Sequence, residues 1–409
     1  AVVREDQPIY ETASHLGREY VIMVRGTVAQ RESVNKEMPT GEIEVLVTNL
    51  AVLSEAKTPP IYIQDADNAQ ESLRLRYRYL DLRKSEIQHR LRTRAKICRL
   101  TRDYLDSQRF TEVETPVLTK PTPEGARDYL VPSRVNPHAF YALPQSPQLF
   151  KQLLMVGGMD RYYQLARCFR DEDLRANRQP EFTQIDIEMS FAEEEDVMEV
   201  AEGLTRTLYG EILGESLPDP FPRMSYADAM RDYGSDKPDL RFEMKLQDIT
   251  EAVTDSAFRV FSDADAVRAL RVEEGAAHYS RKALDKLTDL AKTYGAKGLV
   301  WMKWEDEVQS PVAKFLSKED INRIGKETGA QNGDLLLIVA DTEEVAATAL
   351  GQLRLKTARD LDRVDESRVA VTWITDFPLF EYDDEEDRYV AKHHPFTHPN
   401  MQDLDLLET

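Results

Sequence analysis

Between residues 168 and 182 the chain gathers cations, carboxylates and one aromatic ring at a spacing that could do chemistry. Cys168-Phe-Arg-Asp-Glu-Asp-Leu-Arg175 is followed by Arg178-Gln-Pro-Glu-Phe182, which reads as two strands around a polar loop. A guanidinium such as Arg170 can hold a phosphate through two parallel charge-assisted hydrogen bonds. A ring such as Phe182 offers a flat face to a purine base. Together they predict a nucleotide site without a glycine-rich cradle. Taken singly, each arginine reads more readily as a surface ion-pair partner.

Three other segments mix charges in a similar way. Thr122-Pro-Glu-Gly-Ala-Arg-Asp128 sets Glu124 between proline and glycine, as suits a mobile lid. Gln145-Ser-Pro-Gln-Leu-Phe-Lys151 presents Gln148 and Lys151, and Gln184-Ile-Asp-Ile-Glu188 presents Gln184 and Asp186. Lys151 alone reads as a solvated lysine at a helix start. His393 and His394, before Pro395-Phe396, alone read as a metal site or an exposed pair. Gly157-Gly-Met-Asp-Arg161 reads as a turn before a strand.

Periodicity supplies the elements that must position these groups. Residues 20–29 and 42–53 read as strands, with Ile43, Val45 and Val47 alternating against polar neighbours. Residues 56–60, with two prolines, read as a hinge. Leu91, Ala95, Cys98, Thr101 and Leu105 predict one face of a helix over 89–108, followed by a strand ending at Pro116. Strands over 298–303 and 334–340, with helices over 281–294, 318–326 and 342–353, predict an α+β module. Residues 369–378 read as a strand returning to the sheet of the segments before this module.

The motifs resemble those of the class II aminoacyl-tRNA synthetases, in the wording of their bacterial aspartyl subfamily. The segment 168–182 resembles motif 2, and Phe110-Thr-Glu-Val-Glu-Thr-Pro116 resembles motif 1. The segments around Glu124 and Lys151 resemble the aspartate pocket. The resemblance covers essentially the whole chain and implies ATP- and Mg2+-dependent activation of L-aspartate, then transfer to the 3′ end of tRNA(Asp); it leaves open whether tRNA(Asn) is charged as well. It assigns Arg170 to the α-phosphate and substrate carboxylate. Asp171, Glu172, Gln179 and Phe182 go to ATP. Glu124, Gln148, Lys151, Gln184, Asp186, His393 and His394 go to the amino acid, with Lys151 meeting its side-chain carboxylate.

The implied fold is α+β: an antiparallel class II sheet with flanking helices, a partial N-terminal OB-fold barrel and an insertion domain. The expected divisions are 1–56 (OB, anticodon-binding, or else a small β-ribbon), 57–88 (hinge), 89–240 (catalytic, first part), 241–367 (insertion) and 368–409 (catalytic, second part). The helix and strand around motif 1 would form a homodimer interface. Motif 3, the glycine-rich strand after the histidine pair and its acidic metal ligand are missing, and Asn177 stands where aspartate is common. The expectation is a chain truncated at both ends, impaired alone, with no metal ligand of its own. Asparaginyl or lysyl relatives, and an inactive tRNA- or nucleotide-binding protein, remain alternatives.

Composition agrees with a globular enzyme: 409 residues, 41% hydrophobic and 31% charged, predict two or three domains. Two cysteines without CxxC spacing, no signal-peptide pattern and no apolar run of about 20 residues point to a reducing cytoplasm and no membrane span. The net charge of −21 argues against general nucleic-acid affinity. A local run of cations from Arg74 to Arg102, through Arg76, Arg78, Arg83, Lys84 and Arg90, reads either as a solvated helix face or as a tRNA-backbone surface.

Overall fold

A computed structural model describes the chain except residues 65–67, 174–177, 384–385, 395–396 and 409 and the side chains of 407 and 408. It divides into two units, Ala1–Val200 and Ala201–Thr409.

In the first unit, α1 (Tyr10–Ser14) precedes β1 (Val21–Gln30) and β2 (Ile43–Ser54), which pair antiparallel with Gln30 opposite Ile43. The strands fall within one residue of their sequence-based bounds. Val2 adds a parallel bridge at Leu46. Val21, Met23, Val28 and Leu53 are exposed, while Val47 is buried. Among the described residues, this ladder extends no further than a two-stranded ribbon and its bridge.

The anticipated hinge is folded over its second half. The short helices α2 (Glu71–Arg76) and α3 (Arg78–Asp81) wrap the fully buried Asp81. Arg74 Nε lies 2.9 Å, Arg78 2.5 Å and the buried Lys84 3.4 Å from its carboxylate. Arg83 pairs with Glu19 at 2.6 Å and Arg102 with Glu112 at 2.9 Å. Much of the basic run is therefore paired with acids of this chain, although of these cations only Lys84 is buried.

The long helix α4 (Ser85–Ser107) begins four residues ahead of its expected start. Thr101 and Leu105 are buried as predicted, but Leu91 and Ala95 are exposed, and Ile87 takes the buried place. The helix packs through its C-terminal half, where Tyr104 and Leu105 meet Phe110, Tyr163, Ile187 and Met189. The motif 1 strand shortens to β3 (Thr111–Glu112), parallel to Tyr162 and Tyr163. A small hairpin, β4 (Leu130–Pro132) and β5 (Phe140–Ala142), precedes α5 (Gln148–Val156). Gly158, at φ +88°, turns the chain from that helix into β6 (Arg161–Phe169). The antiparallel partner of β6 is β7 (Glu181–Met189), with Cys168 opposite Phe182 and Gln164 opposite Asp186.

Side chains alternate across a strand. Tyr163, Ile187 and Met189 therefore face α4, while Gln164, Ala166 and Cys168 share the other face with Phe182, Gln184, Asp186 and Glu188. That second face carries the polar chemistry.

The helix α6 (Glu194–Leu213) carries the chain from one unit to the next. In the second unit, β8 (Arg223–Ser225) is followed by α7 (Tyr226–Tyr233), β9 (Leu246–Asp248), α8 (Thr250–Val253) and α9 (Arg259–Ser262). Then come β10 (Ala266–Val272), α10 (Gly275–His278), α11 (Arg281–Thr293), β11 (Val300–Lys303), α12 (Lys318–Thr328), β12 (Leu335–Asp341) and α13 (Glu343–Asp360). The sheet runs β11-β12-β10-β9, all antiparallel. Leu335, Leu337 and Val339 pack with Leu284, Leu287, Leu350 and Leu353 from α11 and α13. Leu336 and Ile338 pack on the opposite face with Val253 and Ile324 from α8 and α12. Burial on both faces explains why β12 reads as an unbroken apolar run. The expected helices and strands of this module are present, while β9 and β10 were missing from the sequence reading.

The segment expected to return to the catalytic sheet is the short β13 (Trp373–Thr375), which pairs parallel with β8. The buried Glu202 accepts from Trp373 Nε1 at 2.8 Å and from the Phe221 amide at 3.1 Å. The hairpin β14 (Phe380–Asp383) and β15 (Arg388–Ala391) follows. No described helix is long and apolar enough to cross a membrane.

Candidate active site

The polar face of β6–β7 holds two clusters. At the loop end, Arg170, Glu172, Gln179 and Phe182 line a cavity of about 340 Å³, together with Asp173, Arg178 and Pro180. The Arg170 guanidinium carbon lies 5.1 Å from the centre of the Phe182 ring, within cation–π reach. Backbone bonds fix this end: the Arg170 amide donates to Pro180 O and the Asp171 amide to Arg127 O, both at 2.9 Å. Arg170 Nε is buried without a partner. Buried polar atoms are normally satisfied, so an acceptor belongs there. Glu172 pairs loosely with Arg178 at 3.8 Å. The Asp171 side chain is exposed.

The second cluster lies further along β7. Lys151, in the first turn of α5, is 8% exposed and is no solvated lysine. Its Nζ lies 3.1 Å from Asp186 Oδ1 and 3.2 Å from Glu188 Oε2. Asp186 Oδ2 is buried with no partner. Burial raises the Asp186 pKa above the ordinary carboxylate value, and Lys151 only partly offsets this. Gln184 Oε1 accepts from Cys168 Sγ at 3.2 Å. Burial pushes that thiol's pKa up to about 11.

The loop bearing Glu124 is anchored beside α5. Ser146 Oγ donates to Glu124 Oε2 at 2.6 Å, and Thr122 Oγ1 donates to Oε1 at 2.9 Å. Gly125 adopts φ +95°, which favours glycine. Gln145, 1% exposed, gathers the loop: its Oε1 accepts from the Ala126 amide at 3.0 Å. Its Nε2 lies 2.9 Å from Ala126 O, 2.7 Å from Asp128 Oδ1 and 3.3 Å from Thr122 O. Gln148 opens α5, its amide 3.2 Å from Ser146 Oγ.

The structure thus brings together Arg170, Glu172, Gln179 and Phe182, and separately Lys151 and Asp186. His393 and His394 are exposed residues of the second unit, where the His393 ring meets Phe377 at 4.5 Å, edge to face. Pro395 and Phe396 lie outside the described residues, as do Leu174, Arg175 and Asn177. Sequence reading did not single out Glu188, Ser146 or Gln145 for a role. For Glu188 the signal was the two-residue step from Asp186; for the others it was their place in the segment 145–151.

Residues 70–409 match the family model described as tRNA synthetases class II (D, K and N). The chain belongs to the class II tRNA synthetases. Curated relatives of this family include an aspartate–tRNA ligase from Clostridium perfringens, 54% identical over 98% of this chain and 68% of its own length. One from Geobacillus kaustophilus is 54% identical over 97% and 68%. An aspartate–tRNA(Asp/Asn) ligase from Caldanaerobacter subterraneus is 53% identical over 98% and 69%. The asparaginyl-tRNA synthetase of Pyrococcus horikoshii, complexed with asparaginyl-adenylate, aligns at 17% identity and TM-score 0.48, over 90% of this chain and 89% of that one.

Proposed function

We propose that this chain acts as an aspartate–tRNA ligase, forming aspartyl-adenylate from L-aspartate and ATP before charging tRNA. The single observation that carries the reading is the spacing along one face of β7. Phe182 and Asp186 are four residues apart on that face, about 13 Å at roughly 3.3 Å per residue. That suits a ligand with a base at one end and a charged amino acid at the other. The relatives' names supply the substrate: aspartate–tRNA ligase in C. perfringens and G. kaustophilus.

In this reading the amino-acid carboxylate attacks the α-phosphorus, an O–P bond forms, and the bond to the β-phosphate oxygen breaks to release pyrophosphate. Catalysis is positioning plus charge stabilisation. Arg170 meets the α-phosphate, its Nε gaining the acceptor it lacks, and Phe182 supports the base. Gln179 and Glu172 contact the nucleotide. Asp171, whose side chain is exposed, is retained as a nucleotide contact. Glu124, Gln148 and the unpartnered Asp186 Oδ2 receive the α-ammonium, and Gln184 lies beside them.

Lys151 has three donors; one is hydrogen-bonded to Asp186 and a second lies toward Glu188 as an ion pair at 3.2 Å. The third is left for the substrate's side-chain carboxylate. Asparagine would offer that donor only a neutral amide oxygen, a weaker acceptor than the aspartate carboxylate, while Asp186 and Glu188 remain the cation's counter-charges. His393 and His394 are proposed as substrate contacts. Mg2+ is proposed to enter with the ATP phosphates.

The coarser proposals are a partial OB-fold over 1–56 for the anticodon, an insertion domain over 241–367 and a cytoplasmic homodimer. The exposed Leu91 and Ala95 support α4 and β3 as the dimer face. The acceptor is tRNA(Asp); tRNA(Asn) is a second candidate because one relative is named for both.

Pyrophosphate exchange tests the reading. Aspartate should support exchange, and Lys151→Met should lower kcat/KM for aspartate at least about a hundredfold, roughly 2.7 kcal/mol. Exchange driven by asparagine or lysine instead would overturn it.

A further inference from the structure

Glu124 and Arg170 belong to different segments, yet one buried side chain stands behind both. Gln145 is 1% exposed and spends its carboxamide on the loop 122–128: Ala126 N and O, Asp128 Oδ1 and Thr122 O, at 2.7–3.3 Å. Between the two residues it grips, Arg127 O accepts from the Asp171 amide at 2.9 Å, immediately after Arg170. The amino-acid lid and the nucleotide loop are thus joined through a backbone bond whose acceptor residue Gln145 flanks on both sides.

We infer that Gln145 is a positioning residue that couples the two substrate subsites, so that ordering the loop around aspartate also orders the strand end that meets ATP. This rests on the proposed reading for the identity of the two substrates. The tether itself does not. Gln145 touches no substrate; it acts through Ala126, Asp128 and Arg127. A buried amide that satisfies this many loop groups is costly to replace, because each partner left unpaired pays its own desolvation.

Two variants separate the hydrogen bonds from the volume. Gln145→Met keeps the bulk and removes every bond, while Gln145→Glu keeps the acceptor for Ala126 N and loses the donors. In pyrophosphate exchange, both should raise the KM for aspartate and for ATP together, about tenfold for Gln145→Met, with a smaller change in kcat. Hydrogen exchange followed by mass spectrometry should quicken at Ala126 and Asp171, while β6 and β7 stay protected.

The unaltered protein provides an independent measurement. Aspartate alone should slow exchange at Asp171, and ATP alone should slow it at Ala126. Unchanged KM values, a rise for one substrate only, or ligands that each protect only their own segment would overturn the coupling. So would loss of protection throughout β6 and β7 in both variants. Should Gln145→Met not fold, cross-protection in the unaltered protein decides the matter. If the unaltered protein binds neither aspartate nor ATP in titration calorimetry, the functional reading fails. The exchange rates of Ala126 and Asp171 without ligand, compared between Gln145→Glu and the parent, then still decide the tether.

Discussion

Lys151, Asp186 and Glu188 place two carboxylates on one buried ammonium. Such an arrangement is stable only as far as its hydrogen bonds go, and Asp186 Oδ2 has none. Burial raises the Asp186 pKa, so the folded chain holds the Asp186 proton more tightly than the unfolded chain does. Its contribution to stability is present below the ordinary carboxylate pKa of about 3.9 and is lost as pH rises through the raised value. Asp186→Asn should therefore melt no lower than the parent at neutral pH. As pH falls, the parent should gain relative to the variant. The KM for aspartate should rise at least about tenfold, since an amide no longer offers the ammonium a charged acceptor. Thermal melts across pH, with exchange kinetics at neutral pH, check both; a large loss of melting temperature at neutral pH would contradict it. Lys151 and Asp186 were legible from residue type and from the family segments. Glu188 was passed over although its two-residue step from Asp186 puts both on one face of β7, and only the packing of α5 shows that Lys151 reaches the two together.

At the scale of elements, the pattern reading found β1, β2, β6, β7, β11 and β12 and the helices α4, α11, α12 and α13, because long apolar periods survive folding, but it gave no sign of α6 or α7. It failed where polar residues hold the backbone. The segment 70–84 has no apolar stripe; it folds around Asp81, whose carboxylate collects Arg74, Arg78 and Lys84. A charge run gives no sign that its members converge on one acid. Hydrogen bonding from Arg74 holds the Asp81 pKa below its usual value. Asp81 therefore stabilises the fold above the unfolded pKa of about 3.9, and that contribution fades as pH falls through the depressed value. Asp81→Asn removes the buried carboxylate that Arg74, Arg78 and Lys84 share, a change that costs about 3–5 kcal/mol in comparable buried pairs. Denaturant unfolding should show that loss at neutral pH and a shrinking gap in acid. Equal stability at neutral pH would remove Asp81 as the centre of this segment. The exposure of Leu91 and Ala95 has the same lesson: helical period predicts a face, and only tertiary packing says how much of that face is covered.

For the whole molecule, the net charge of −21 and the internal pairing of so many cations leave a small electrostatic grip for nucleic acid. With two or three phosphate contacts, tRNA affinity should fall roughly 10- to 40-fold between 50 and 200 mM salt, taking a slope of about 0.9 per contact. Filter binding with tRNA(Asp) across that range measures it. A slope corresponding to six or more contacts would mean that the basic run is far more available than its ion pairs indicate. The second unit shows why global architecture was only partly readable. Strand β12 was plain from its run of buried leucines, but β10 alternates Arg268 and Arg271 with Val267, Ala269 and Leu270, and its arginines masked the period. Arg268 is nonetheless buried, pairing with Glu343 and donating to Arg231 O.

Cys168 sits in the middle of the polar face, sealed against Gln184, with its proton held up to about 11. A thiolate is the reactive form, so at neutral pH this sulfur is chemically mute while the strand pair is closed. Alkylating agents should label the half-buried Cys98 first. Any slower, second adduct would then serve as a built-in clock, timing how often the floor beneath the substrates comes apart.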